Sequence, residues 1–450
     1  MPAAPRLRVA LPLPLPRLFD YLPPAGVEAT PALVGQRVRV PFGPRELVGV
    51  VAAIGTPEPG VELRQAHALP DPEPLLAGEL LDSLRWLARY THAAPGEVFA
   101  TALPASLRAG EPLPDTHAWA WQATEAGASG RTGLRKGSRP RRLAELLAAG
   151  PVDEDRLEQE LEGWRAAARA LAGRGHAERV AVPASTLAPA PQPGPLPNDE
   201  QRAAIDAIAA NTGFTPFLLE GVTGSGKTEV YLQAIADCLA RGRQALVLVP
   251  EIGLTPQTLA RFRARLGVPV HALHSGLADG ERARVWAAAW RGEARVVVGT
   301  RSAVFLPLPD AGLIVVDEEH DASYKQQDGI RYHARDFALV RARALGVPVL
   351  LGSATPSLET LHNARAGRYI HLRLRRRAGE ARPPAVRIVD VRKRPLQAGL
   401  APETLHMIEA ALRDGGQVLV FKNRRGYAPV LLCHDCGWSA QCPRCSTPAQ

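Results

Sequence analysis

Five near-continuous apolar runs mark the second half of the chain: "FLLEG", "QALVLVPE", "RVVVGT", "LIVVDEEH" and "VPVLLGSAT". Each is rich in Val, Leu and Ile with no polar alternation, so each predicts a strand covered on both faces. Amphipathic helical segments separate the runs, and that order predicts a parallel α/β sheet. Every run ends in small or polar residues, at the carboxyl edge where such sheets bind ligands.

The first half has a different texture. Short β-type runs ("QRVRVPFG", "ELVGVVAAI") alternate with Pro/Gly turns and lead into one long helical pattern, "LLAGELLDSLRWLARYTHA". The opening "LPLPLP" reads as an extended edge strand, because proline cannot donate to a ladder. Pro12, Pro14 and Pro16 also exclude the helical apolar region of a signal peptide. A mature, cytoplasmic N-terminus is expected. From about Glu111 to Pro183 the pattern turns helical, and a basic, Gly-containing stretch leads into a module of winged-helix size. "VPASTLAPAPQPGPLPNDE" is a Pro-rich linker unable to pack a core. "GGQVLVFKNRRGYAPVLLC" predicts the start of a further strand-and-helix layer.

Composition narrows the class. The 450 residues are 46% hydrophobic and 22% charged, as in a water-soluble globular protein, and no apolar run reaches membrane-span length. A net charge of +9 suits a polyanionic partner. Arginine supplies 49 of the 54 basic residues, so the five lysines are informative. Lys227, Lys325 and Lys422 lie within motifs, where a compact ammonium serves as a point charge rather than a fork.

"GVTGSGKT", Gly221 to Thr228, matches the phosphate-binding loop G-x-x-x-x-G-K-[ST] between a predicted strand and a predicted helix. The backbone of Gly221, Val222, Thr223, Gly224, Ser225 and Gly226 would wrap phosphates at a positive helix N-terminus. Lys227 would reach the β/γ-phosphates and Thr228 would hold Mg²⁺. Gln201, upstream of the loop, is grouped with the nucleotide-binding residues. At the end of "LIVVDEEH", Asp317 would hold Mg²⁺ through water and Glu318 would polarise the attacking water. ATP and Mg²⁺ are therefore the expected cofactors.

Four further segments follow strands in the order of superfamily-2 helicases: "PEIGLTPQ", "GTRSAVF", "DEEH" and "GSATPS". Thr300 and Arg301 are candidate phosphate contacts for single-stranded DNA. His320, Ser353 and Thr355 are candidates to pass the nucleotide state to the DNA groove. A generic P-loop kinase is disfavoured by these segments.

With "LHSGL", "DEEHDASYKQQDGIRYHARD", "KNRRGYAPVLLCHDCGW" and the N-terminal "LPLPLPRLFDYLPP", the chain resembles the PriA family of primosomal replication-restart helicases from about Pro5 to Pro448. The resemblance implies an α/β protein in several parts. A β-rich domain that binds DNA 3′ ends (1–105) would be followed by a winged-helix-like module (106–185) and a linker (186–198). A RecA-like P-loop helicase lobe (199–396), the start of a second lobe (397–432) and part of a zinc-binding insertion (433–450) would complete it. It implies 3′-to-5′ ATP-dependent unwinding at stalled or abandoned forks and primosome assembly. A fork-binding scaffold with an inactive motor is the alternative. Implied partners are fork and single-stranded DNA, single-stranded-DNA-binding protein and other restart proteins, with no membrane. Phe19, Asp20, Gly43 and Arg64 fall on the pocket for the 3′ terminus. Ser323–His333 falls on an aromatic-rich coupling loop, where Tyr324 and Tyr332 would stack on bases and Ile330 replaces an aromatic.

Cys433, Cys436, Cys442 and Cys445 form two Cys-x-x-Cys pairs separated only by "GWSAQ". Thiolates in that pattern bind zinc, either one cramped ion with four sulfurs or two ions each holding one pair. The resemblance implies the second arrangement, two Zn²⁺ held by interleaved pairs, and a chain matching the N-terminal part of such a protein. Cys238, in a helical pattern, is expected to be a buried apolar side chain.

Overall fold

The computed structural model describes residues 5–56, 62–128, 133–135, 137–182, 191–377, 385–392, 394–421, 436 and 438–439. Two compact units divide the chain, Met1–Glu380 and Ala381–Gln450.

The first unit begins with β1 (Arg6–Ala10), β2 (Phe19–Tyr21), β3 (Arg37–Phe42) and β4 (Arg45–Gly55), an antiparallel sheet in the order β2-β1-β4-β3. Leu7, Val9, Val38, Val40 and Val51 bury one face. Ala10, Val50 and Ala52 on the other face pack with Leu80, Leu84 and Leu87 of α1 (Gly78–Thr91). The short helices α2 (Pro95–Thr101) and α3 (Ala105–Arg108) follow.

The Leu-Pro stretch is not the expected edge strand. The N–H groups of Leu13, Leu15 and Arg17 each bond the carbonyl two residues back, at 2.7, 2.8 and 2.8 Å. Alternate prolines remove every second donor from a ladder, and the remaining donors close three-residue turns instead. β2 occupies the edge.

The middle region mixes strands with helices where the pattern suggested helices. β5 (Ala118–Ala123), α4 (Glu125–Ala128), α5 (Arg139–Leu147), β6 (Val152–Asp153), α6 (Glu154–Glu160), α7 (Trp164–Ala172) and β7 (Ala177–Val182) form a sheet in the order β6-β5-β7 with its helices. Leu143, Leu147, Leu157, Trp164 and Leu171 make a separate core.

The large sheet is parallel throughout, as its apolar runs predict. Its elements are α8 (Asp199–Ala209), β8 (Pro216–Gly221), α9 (Lys227–Ala240), β9 (Gln244–Leu248), α10 (Pro256–Leu266), β10 (Val270–Leu273), α11 (Asp279–Trp290), β11 (Val296–Gly299), β12 (Ala311–Val316), α12 (Ala334–Leu345), β13 (Val349–Ser353), α13 (Leu358–Arg365) and β14 (Ile370–Leu374). The strand order is β10-β11-β9-β12-β13-β8-β14. All five strongly apolar runs are strands, and β9, β11 and β13 are buried along their whole length. Cys238 on α9 is fully buried, and burial pushes its thiol up to about 11.

No gap separates the N-terminal sheet from this lobe. Leu80, Leu84, Phe99 and Leu107 belong to one apolar cluster with Trp286, Val304, Phe305 and Phe337. Arg341 of α12 is wholly buried and pairs with Glu79 of α1 at 2.7 Å. Its Nη1 donates to the carbonyls of Val304 and Leu306 at 2.8 and 2.7 Å.

In the second unit α14 (Pro402–Arg413) is formed. Residues 415–421 carry no strand pairing, and Leu419 is 91% exposed, while 422–433, the rest of the expected layer, lie outside the described residues. A strand needs a partner ladder, and none stands beside this segment among the described residues. Among the described residues, no helix is long and apolar enough to cross a membrane.

Candidate nucleotide site and DNA-facing cleft

β12, β13 and β8 are neighbours in the sheet, so their carboxyl ends bring three motifs to one edge. β8 leads into the phosphate loop, β12 into the acidic segment, and β13 ends on Ser353. In the loop, Gly224 and Gly226 have φ of +81° and +85°, where any other residue is strained. Gly221 is needed for a different reason: a Cβ there would stand 2.5 Å from Ser225 Oγ and 3.2 Å from Lys227 Cγ.

Lys227 opens α9 and is nearly buried. Its Nζ donates to Gly221 O at 3.1 Å and stands 3.4 Å from Glu318 Oε1. The buried Ser225 Oγ has no hydrogen-bond partner, a donor left over for a ligand. Val222 and Thr223 are exposed, and Thr228 is half-buried in the first turn of the helix. Gln201 is only 4% exposed and sits beneath the loop. Its Nε2 donates to Ser225 O at 2.8 Å, and its Oε1 accepts from Asn198 N at 2.9 Å. One end of its amide thus supports the loop, and the other closes the capping box of α8 with Asn198.

Asp317 accepts from the Tyr231 hydroxyl at 2.9 Å, and its backbone oxygen accepts from the Tyr324 hydroxyl at 2.6 Å. Burial, and then the neighbouring Glu318 charge, hold its carboxyl above the usual carboxylate range. A buried acid beside a second acid is relieved by a cation, so the donor set fits Mg²⁺. Glu318 has φ of +44°, an unusual value for a non-glycine residue and a sign of local strain. Its carboxylate lies between Lys227 Nζ and His320 Nδ1, the latter 3.7 Å away.

His320 continues the chain of contacts. Its Nδ1 is 2.8 Å from Ser353 Oγ, which accepts from Thr355 N at 3.0 Å, while Thr355 Oγ1 lies 3.5 Å from His320 Nε2. The residues expected to sense nucleotide and those expected to relay it are therefore adjacent. Sequence reasoning missed Glu319. It is wholly buried and accepts from Ser357 N at 2.7 Å, Ser357 Oγ at 3.0 Å, Thr360 Oγ1 at 2.9 Å and Arg335 Nη1 at 2.9 Å. A third consecutive acid and the helix-capping spacing Ser357-x-x-Thr360 were the available signals.

Beyond β11, a cleft of about 380 Å³ opens beside Thr300 and Arg301. Arg301 Nη1 donates to the carbonyls of Ser323 and Lys325, both at 3.0 Å, so it ties its own segment to the loop 323–333. That loop differs from expectation. Tyr324 is fully buried, its ring held by the Asp317 carbonyl. Tyr332 borders the cleft but is only 4% exposed, set edge-on to Phe305 at 4.8 Å. Burial pushes its hydroxyl up to about 12. Neither ring offers the open face that stacking on a base requires. Ile330 lies in the same core, 8% exposed.

At the N-terminal sheet, Phe19 meets Phe42 edge-on at 5.5 Å beneath the Arg17 guanidinium, 4.8 Å from the ring. Gly43 follows Phe42 at the hairpin tip with φ of +60° and open space around it. Asp20 pairs with Arg6 at 3.0 Å and lies 3.6 Å from Arg8. The Arg64 carbonyl accepts from Leu22 N at 3.0 Å. All four expected positions gather around β2. Of the cysteine pairs, Cys436 is exposed, and Cys433, Cys442 and Cys445 lie outside the described residues.

The strand order, the phosphate loop and the acids two strands away define a RecA-like P-loop nucleotide-binding lobe of the helicase class. Residues 198–364 match the DEAD/DEAH box helicase model, and residues 8–104 match the 3'DNA-binding domain (3'BD). The chain belongs to the PriA family of replication restart proteins. It is 43% identical over 455 residues to replication restart protein PriA of Haemophilus influenzae, covering 98% of this chain and 62% of that one. With the Bacillus subtilis protein the identity is 34% over 509 residues, covering 95% and 63%. The chain thus spans about three-fifths of the length of these curated relatives. RecG bound to a three-way DNA junction superposes with a TM-score of 0.35 at 23% identity, over 50% of this chain and 29% of that one. That score is too low to carry an argument.

Proposed function

We propose that this chain carries the DNA-end-binding module and the first motor lobe of an ATP-dependent helicase. The helicase would unwind 3′ to 5′ and act at stalled or abandoned replication forks to begin primosome assembly. The observation that carries the reading is the unbroken contact chain from Lys227 through Glu318, His320 and Ser353 to Thr355. It links the phosphate loop to a segment ending on a neighbouring strand, so a change at the phosphates moves a defined set of hydrogen bonds. Family membership and the net charge of +9 support DNA as the polyanion.

In this reading the N–H groups of 222–226 and Lys227 hold the ATP phosphates, while Asp317 and Thr228 hold Mg²⁺. The bound metal ion would neutralise charge developing on the phosphates. Glu318 orients the attacking water, and with nucleotide absent its carboxylate is held by Lys227. On nucleotide binding Lys227 turns to phosphate and frees Glu318, and His320 follows because it faces the same carboxylate. Phe19, Asp20, Gly43 and Arg64 form the 3′-end pocket, and Thr300 and Arg301 contact the translocated strand. Cys433, Cys436, Cys442 and Cys445 bind Zn²⁺. The partners are fork DNA, single-stranded-DNA-binding protein and other restart proteins, in the cytoplasm at the nucleoid.

The test compares forks with a free and with a blocked 3′ end at the junction. Phe19→Ala with Asp20→Ala should weaken binding to the free end about tenfold, a loss of about 1.4 kcal/mol, and leave the blocked end unchanged. An equal loss for both would make these residues structural and remove end recognition from the proposal.

A further inference from the structure

The cleft beside Thr300 and Arg301 has a wall that the motor lobe does not supply. Arg108, at the end of α3 in the N-terminal module, lines it together with Arg282 of α11. The backbone that carries Arg108 is pinned from several sides. Trp286 Nε1 donates to Ala102 O at 2.9 Å, across from the motor lobe. The buried Arg37 donates to Leu107 O, and to Glu111 O at 2.8 Å. Arg39 Nη2 donates to Gly110 O at 2.8 Å.

The Arg108 side chain, by contrast, is exposed, and its recorded contact is a long 3.5 Å approach to Ala100 O. Arg282 is held as loosely, 4.0 Å from Asp279. Two guanidiniums with weak partners are free to turn to an anion, at the cost of ordering their side chains. The cleft also holds the carboxylates of Glu251 and Asp328, but its three arginines outnumber them.

We infer that Arg108 and Arg282 grip a phosphodiester of the single DNA strand lying in this cleft, opposite Arg301. The N-terminal module would then form one wall of the motor's own strand path, in addition to binding ends. The inference rests on the reading that this lobe runs on single-stranded DNA and adds the residues that hold the strand. A planar guanidinium suits a phosphodiester because it donates two parallel hydrogen bonds.

The experiment is fluorescence anisotropy of a labelled oligothymidylate, whose blocked 3′ end avoids the end pocket, with the 450-residue chain from about 50 to 200 mM salt. Arg108→Ala should weaken binding and flatten the plot of log K against log salt by about 0.7, one phosphate contact on a single strand. Arg108→Ala with Arg282→Ala should flatten it further, and Arg108→Lys should keep most of the slope. Thermal melting checks the fold, which truncating an arginine with such weak partners should leave essentially unshifted. Wild-type binding with unchanged slopes in both variants would overturn this inference and leave the proposed function standing. No oligothymidylate binding by the wild-type chain would overturn both.

Discussion

At Asp317 two unfavourable effects meet, burial and a neighbouring negative charge, and both raise its pKa from 3.8. An acid with a raised folded pKa favours the fold while protonated. That contribution is full below the unfolded value and is lost as pH rises through the raised one. Ionising Asp317 in the nucleotide-free protein therefore costs stability. Asp317→Asn should raise its melting temperature and abolish any stabilisation by Mg²⁺ with ATP. A melting temperature that falls, with the Mg²⁺ effect retained, would contradict this. Lys227, Asp317 and Glu318 were legible because the phosphate loop and its acids recur at fixed distances from strand ends. The burial of Tyr324 was not. In "DASYKQQDGIRYHARD" an aromatic among polar residues reads as exposed, and its true partner, the Asp317 carbonyl, is visible only once the chain is folded.

Among the elements, the turn after β12 and the segment after β13 are fastened by Glu319. One buried carboxylate accepts from Ser357, Thr360 and Arg335, and so fixes the spacing between the acidic motif and α13. Glu319→Ala would leave the nearly buried Arg335 without this partner, and should cost about 3–5 kcal/mol by urea unfolding. A loss below about 1 kcal/mol would show that the cluster is not structural. The interior strands were readable because both of their faces are apolar. β10 and β14 were missed: "VHAL" and "IHLRL" interleave polar residues, as strands at the two edges of a sheet can. β5 was hidden inside an Ala-rich stretch whose Trp alternation is short.

For the first unit taken whole, the N-terminal sheet and the motor lobe share a core that no linear reading joins. Glu79 and Arg341 lie 262 positions apart and form a buried pair that also fixes the carbonyls of Val304 and Leu306. Arg341→Met or Glu79→Leu should each destabilise by about 3–5 kcal/mol, and the double substitution should recover only part of that loss, because the Val304 and Leu306 carbonyls stay without their donor. Additive losses in the double variant would mean the two residues act independently. Composition and motif order made the lobe and its class legible, but contacts between modules depend on surfaces that meet only after folding. The motor reading of the unit depends on the nucleotide being read at Lys227. Calorimetric titration of the 450-residue chain with a non-hydrolysable ATP analogue and Mg²⁺ tests this most directly. The wild type should bind one analogue per chain, and Lys227→Ala should weaken it at least about a hundredfold, about 2.7 kcal/mol, while the variant still unfolds in one cooperative transition when nucleotide is absent. Equal binding by the two proteins would contradict the phosphate-loop assignment and the contact chain built upon it.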